Sequence, residues 1–149
     1  MTIPRYAELN RSRYALLRSF RRDGTPVGTP IWFAFDDDGG VLFRTKVGPK
    51  TRRLAARRGV ELVPCDYRGQ VHPGATTVAG RATVLSGAAA ARANRVLHRR
   101  YGWQWNILPL IKLPGVTNVH QDLCAREKLR RARDRGVWPD SVIVRVELP

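Results

Sequence analysis

From Tyr14 to Thr45 the chain reads at period two in three runs separated by turn residues, and no other feature narrows the possible folds as far. That period sends successive side chains to opposite faces of a strand. Tyr14–Arg21 sets Tyr14, Leu16, Arg18 and Phe20 against Ala15, Leu17 and Ser19. Asp23–Gly24, a strong hairpin signal, follows. Thr25–Phe35 returns with Val27, Thr29, Ile31, Phe33 and Phe35 on one face and Gly28, Pro30, Trp32 and Ala34 on the other. Asp36–Gly40 is the next turn, and Val41–Thr45 completes a three-stranded meander. Pro30 cannot donate to a ladder, so it marks an edge, a bulge or a gap. An ordinary bulge accounts for it, and so does a flat ligand lying against the strand.

The meander runs into VLFRTKVGPKTRRLAARR, Val41–Arg58. This reads as a strand, a Gly48–Pro49 turn and a helix from Lys50, with Leu54 and Ala55 anchoring it and Gly59 just past its end. Proline suits a first helical position, where its missing N–H is no loss. Arg44, Lys46, Lys50, Arg52, Arg53, Arg57 and Arg58 are basic, with no Asp or Glu among them. A helix N-terminus, converging cations and the Thr45 hydroxyl make a socket for a phosphate. A solvated basic helix face is the plainer alternative. The position at a strand–helix junction favours the anion site.

Beyond the junction, Val60–Asp66 and Ala75–Leu85 read as strands, the second with Val78, Gly80, Ala82 and Val84 on a small-residue face. Ser86 is placed to cap a helix running from Gly87 to Tyr101, with Val96 and Leu97 inward. Residues 102–116 form an aromatic connector broken by proline, Asp122–Arg135 a basic helix, and Ser141–Leu148 a last strand. The chain thus reads as one domain over 1–149, with 102–136 inserted before the final strand. The fold class is mainly β: a six-stranded, mostly antiparallel split β-barrel with peripheral helices.

The charge of +15 over 149 residues suits anionic partners: nucleic acid, an acidic membrane surface or a polyanionic small molecule. Two cysteines, Cys65 and Cys124, are too few for a disulfide framework. His72, His98 and His120 lack metal-ligand spacing, so no metal is expected. MTIPRYAELNR has no apolar signal region, and Trp103–Val116 is too short and too interrupted to span a bilayer. These features lead to the expectation of a cytoplasmic protein without a membrane segment.

GTPVGTPIWFAFDDDGGVLFRT, GPKTRRLAARRGVELVPCDYRG, ATTVAGRATVLS and RRYGW, in that order, resemble the flavin/deazaflavin oxidoreductase superfamily. More narrowly they resemble its pyridoxamine-phosphate-oxidase-like, F420-dependent split-barrel enzymes. The resemblance covers roughly residues 8–105 and the last strand. It implies a homodimer with two cofactor sites across the interface. It places Thr45, Lys46, Lys50, Thr51 and Arg52 around the cofactor phosphate, and Thr29, Pro30, Ile31 and Trp32 beside the tricyclic ring. It implies no general catalytic acid, and none is assigned. Tyr67, Tyr101 and His72 are possible proton donors, each with a structural alternative. Trp103, Trp105 and Asn106 could wall the substrate side or belong to the core or the dimer contact.

FMN ends in one phosphate, whereas the deazaflavin F420 carries a phosphodiester and an oligoglutamate tail. Arg53, Arg57, Arg58 and Arg68 offer more cations than FMN needs, and arginine holds carboxylates well. F420 is therefore the expected cofactor, with FMN the runner-up. The expected function is hydride transfer between F420 and an unsaturated or conjugated small molecule. A cofactor carrier with the same fold is one alternative. A basic nucleic-acid-binding domain is another, disfavoured because the cations are not interleaved with exposed aromatics and no helix-turn-helix or finger pattern occurs.

Overall fold

A computed structural model describes residues 6–110, 123–134 and 136–149. Strands β1 (Tyr14–Phe20), β2 (Pro26–Phe35), β3 (Val41–Lys46), β4 (Gly59–Cys65), β5 (Val78–Leu85) and β6 (Ser141–Glu147) close an antiparallel barrel in the order β1-β2-β3-β6-β5-β4. Five α-helices accompany them among the described residues: α1 (Ala7–Arg11), α2 (Pro49–Ala56), α3 (Gly87–Tyr101), α4 (Gln104–Ile107) and α5 (Ala125–Arg133).

The period-two runs fill the barrel. Ala15, Leu17, Ile31, Phe33, Val41, Phe43, Leu62, Val144 and Val146 pack inside it, joined by Leu54 from α2. A second cluster lies outside the sheet, where Ala34, Leu42 and Ile143 meet Ala90, Ala93, Leu97, Tyr101 and Trp105 of α3 and α4. The small residues of α3 let it approach the strands closely, which is why Ala34 is buried although it faces outward.

Several expected details shift. The fifth strand starts at Val78 rather than Ala75, because Ala75 turns back to the His72 carbonyl (3.1 Å). Gly59 opens β4 instead of following α2: the helix stops at Ala56, and Arg57 and Arg58 turn extended to brace neighbouring strands. Ala55 is exposed, so Leu54 alone anchors α2. Ser86 occupies the N-cap of α3, but its hydroxyl makes no capping bond. The expected start of the last helix at Asp122, together with Lys112 and His120, lies outside the described residues.

One seam of the barrel is short. β2 and β3 pair only at Phe33↔Phe43, Ala34↔Leu42 and Phe35↔Val41. Before Phe33, β2 keeps only β1, paired from Tyr14↔Trp32 to Phe20↔Pro26. Beyond Phe43, β3 keeps only β6, paired to Lys46↔Ser141. The two strands part there, leaving a split with residues 29–32 on one lip and 44–46 on the other.

Candidate functional site

The direction of the main chain along β2 explains Pro30. The Tyr101 hydroxyl accepts the Phe33 N–H (2.9 Å) and lies 2.6 Å from the Phe33 carbonyl and 3.0 Å from that of Arg13, so Phe33 faces the β1 side. At the hairpin, the Asp36 N–H donates to the Gly40 carbonyl (2.8 Å), so the even-numbered residue faces β3. Alternation then turns the main-chain groups of Pro30 and Trp32 toward the split. A proline there removes a donor from an edge that has no partner strand. Thr29 and Ile31 point their main chain at Leu17 and Ala15 of β1 and their side chains toward the barrel interior. Of the four residues expected beside a ring, two present backbone to the split and two support it.

On the other lip, Thr45 is buried toward the interior, 8% exposed, while Lys46 stands outward in solvent. Gly48 precedes α2, and Thr51 closes the first turn: its Oγ1 accepts the Gly48 N–H (3.0 Å) and donates to the Gly48 carbonyl (2.8 Å). That hydroxyl caps the helix. Arg52 is exposed. Lys50 is half-buried at the head of α2, and burial, with repulsion from Arg53, lowers its ammonium to about 8. Among the described residues it makes no hydrogen bond or ion pair. An ammonium held out of water beside a helix N-terminus, with no counter-charge among the described residues, makes Lys50 a candidate receptor for an anion.

Most of the surplus cations serve another purpose. Arg53 donates to Ser19 Oγ (3.2 Å), Arg57 to the Arg21 carbonyl (3.4 Å), and Arg58 to the Ala82 carbonyl (3.1 Å) and Thr83 Oγ1 (2.6 Å). They tie the end of α2 to β1, β5 and the first hairpin. Arg68 leans on Tyr67 at the exposed tip of its loop (3.1 Å).

An aromatic roof crosses the outer side of the split. Trp32 stacks on Tyr101 (4.8 Å), Tyr101 on Trp105 (5.8 Å), and the Arg44 guanidinium lies over Trp105 (4.0 Å) and Trp138 (4.2 Å). Arg44 Nη2 donates to the Trp105 carbonyl (2.6 Å). Trp105 is 2% exposed and donates to Asn94 Oδ1 (3.0 Å), while Asn106 reaches the Asp134 carbonyl (2.7 Å). Both are packing residues of the helical layer. Trp103 is 66% exposed. Tyr101 serves as the last rung between β1 and β2. By composition alone Arg44 is one more cation of the junction. Its outward position between buried Phe43 and Thr45, on the same face as Leu42, was the available sign that something covers it.

The family profile of pyridoxamine 5'-phosphate oxidase matches residues 5–120. The chain belongs to the pyridoxamine 5'-phosphate oxidase family. Solved structures with the same fold include the heme storage protein HutZ of Vibrio cholerae, at 11% identity and a TM-score of 0.62, covering 98% of this chain and 89% of that one. A pyridoxamine 5'-phosphate oxidase-related, FMN binding protein of Nostoc punctiforme follows at 16% identity and 0.55, covering 91% and 70%. A structure described as an F420 reductase stands at 20% identity and 0.52, covering 97% and 92%. At these identities the likeness is one of fold. No curated protein matches the chain. In this pyridoxamine 5'-phosphate oxidase family member, the split, the half-buried Lys50 and the outward-turned backbone form one candidate site for a flavin-type cofactor.

Proposed function

We propose that the chain is an oxidoreductase that binds the deazaflavin F420 and transfers a hydride to or from an unsaturated or conjugated small molecule. Lys50 carries the reading: a half-buried ammonium with no counter-charge at the head of α2 matches the phosphodiester of such a cofactor. The backbone of Pro30 and Trp32, turned to the split, matches the polar edge of a ring whose faces are apolar. An F420 reductase and an FMN binding protein share this fold alike, so the preference for the deazaflavin rests on the match of its anionic phosphodiester and tail to the basic junction. With Arg53, Arg57 and Arg58 engaged as braces, an oligoglutamate tail would rely on exposed Arg52 and Lys46.

The residues divide the work by position. Lys50 fixes the anionic end, Thr51 keeps the first turn of α2 closed, and Thr45 lines the inner wall. Pro30 and Trp32 orient the ring edge without ladder bonds that would have to be broken. Bound there, a deazaflavin supplies hydride chemistry at its central ring carbon. The roof of Trp32, Tyr101 and Trp105 keeps water from the outer side of the split. No side chain of the described residues is assigned as a proton donor.

A homodimer is part of the proposal. β2 is half-unpaired, and Tyr14, Leu16, Phe20 and Pro30 form a half-exposed apolar outer face beside it. A cytoplasmic location is likewise proposed, where reduced deazaflavin is available as a soluble donor. No helix among the described residues is long and apolar enough to cross a membrane.

Gel filtration of the chain after mixing with F420 tests the reading. Co-elution of visible absorbance with a protein peak of dimer size supports it. Tight, steeply salt-dependent DNA binding without cofactor retention would instead support the nucleic-acid alternative.

A further inference from the structure

Two buried polar atoms without partners sit on one outer face of the β3–β6 ladder. Arg44 Nη1 and Ser141 Oγ are both closed off from solvent, and neither has a hydrogen-bond partner among the described residues. Native structures rarely leave such groups orphaned, and those they do leave call for an explanation. Register brings the two together. Arg44 pairs with Ile143 and Lys46 with Ser141, so Arg44 and Ser141 are diagonal neighbours on that face. The Arg44 and Arg131 guanidiniums both lie over the Trp138 ring (4.2 and 5.4 Å), and the Trp138 carbonyl accepts the Ser141 N–H (3.0 Å), which gathers these groups at the start of β6. Asp140 is itself held by Arg131 (2.6 Å), which also binds Glu127 (2.9 Å).

We infer that Arg44 Nη1 and the Ser141 hydroxyl are the two donors of a carboxylate site, and that the small molecule acted on carries a carboxylate. The inference rests on the proposed oxidoreductase reading for the substrate's role, but not for the existence of the site. One N–H and one O–H match the two oxygens of a single carboxylate. Arg44 Nη2 is already engaged by the Trp105 carbonyl, and Arg44 and Arg131 together are matched by Glu127 and Asp140. The cluster has no surplus charge to hold a phosphate dianion, and its two open donors suit a single carboxylate. The Trp105 and Trp138 rings fix the plane of the guanidinium, so its open edge has one direction. Arg44 is the first β3 residue past the last β2–β3 pair, which sets this carboxylate at the mouth of the split. Both donors are shut away in the free chain, so access requires the cover over them to shift, and binding lags mixing.

Benzoate, with neutral benzamide as its control, probes the site through tryptophan emission and calorimetry. Benzoate is expected to bind the parent and quench the emission, and benzamide is expected to do neither. Losing a charge-assisted hydrogen bond weakens benzoate by at least about tenfold in Arg44→Lys. Ser141→Ala, a smaller change that leaves the Arg44 stack in place, weakens it about three- to tenfold. F420 and FMN affinities stay within about twofold in Ser141→Ala, since the site is separate from the Lys50 anchor. Absence of benzoate binding to the parent would overturn the inference. So would equal binding of benzoate to the parent and Ser141→Ala. Benzoate binding lost in the variants, in a parent that binds neither F420 nor FMN, would uphold this site and sink the cofactor reading instead.

Discussion

Replacing Lys50 with methionine should make the free protein more stable and the cofactor complex weaker. Burial lowers the Lys50 ammonium from its ordinary 10.5 to about 8, with Arg53 adding to the effect. At about 1.4 kcal/mol for each pH unit, keeping that charge in the fold costs on the order of 3 kcal/mol at neutral pH. Solvent relaxation makes this an upper bound, so Lys50→Met should gain about 1–3 kcal/mol. In a chain of this size that raises the midpoint of thermal unfolding by about 2–4 °C for each kcal/mol. The sign follows from linkage. A lysine whose folded value is depressed binds its proton less well folded than unfolded, so its penalty is fullest below about 8 and shrinks as pH rises toward 10.5. The advantage of Lys50→Met should therefore fall by about 1 kcal/mol between about pH 7 and pH 9. The same substitution removes a charge-assisted contact to the bound anion, about 1.5–3 kcal/mol, or roughly ten- to 150-fold in affinity. Thermal unfolding at both pH values and a cofactor titration measure the two effects on one sample. A variant that is less stable than the parent, or that binds as tightly, would refute the reasoning that Lys50 is a buried charge awaiting an anion.

Other consequences follow from the same geometry. F420 affinity in the parent should stay level from pH 7 up to about 8 and then fall as Lys50 loses its proton, a profile absent from Lys50→Met. Tyr101→Phe removes the hydroxyl that joins Phe33 to Arg13. Chemical denaturation should show a loss of about 1–3 kcal/mol, with little change in strand content by circular dichroism. Gly80→Ala puts a methyl group 2.5 Å from Val146 Cγ1 and 2.9 Å from the Glu147 carbonyl, between β5 and β6. It should destabilise the barrel by about 1–3 kcal/mol or more, whereas Gly48→Ala, with open space around its Cβ position, should cost far less.

The barrel was legible because its inward residues alternate without interruption. Ala15 and Leu17, then Ile31 and Phe33, then Val41 and Phe43 carry the period across two turns, and the barrel interior is made of these residues. Pro30 announced an irregular edge, although only the register shows that its missing donor faces the split. The basic junction was visible as composition. Its division of labour was not, because a guanidinium reads the same in sequence whether it braces a carbonyl, as Arg57 and Arg58 do, or faces solvent, as Arg52 does. Thr51 illustrates the same limit: a threonine three residues after Gly48 can cap its helix or touch a ligand, and only coordinates distinguish the two. The burial of Arg44 was the least accessible feature, since Trp105 and Trp138 reach it from 61 and 94 positions further along the chain. Local pattern carries no record of such pairings.

The most direct test of the central claim is a parallel titration of the parent chain with F420 and with FMN, followed by fluorescence at fixed pH and salt. Saturable binding of F420 is expected, tighter than that of FMN. Absence of F420 binding, above all if heme binds in its place, would contradict the claim.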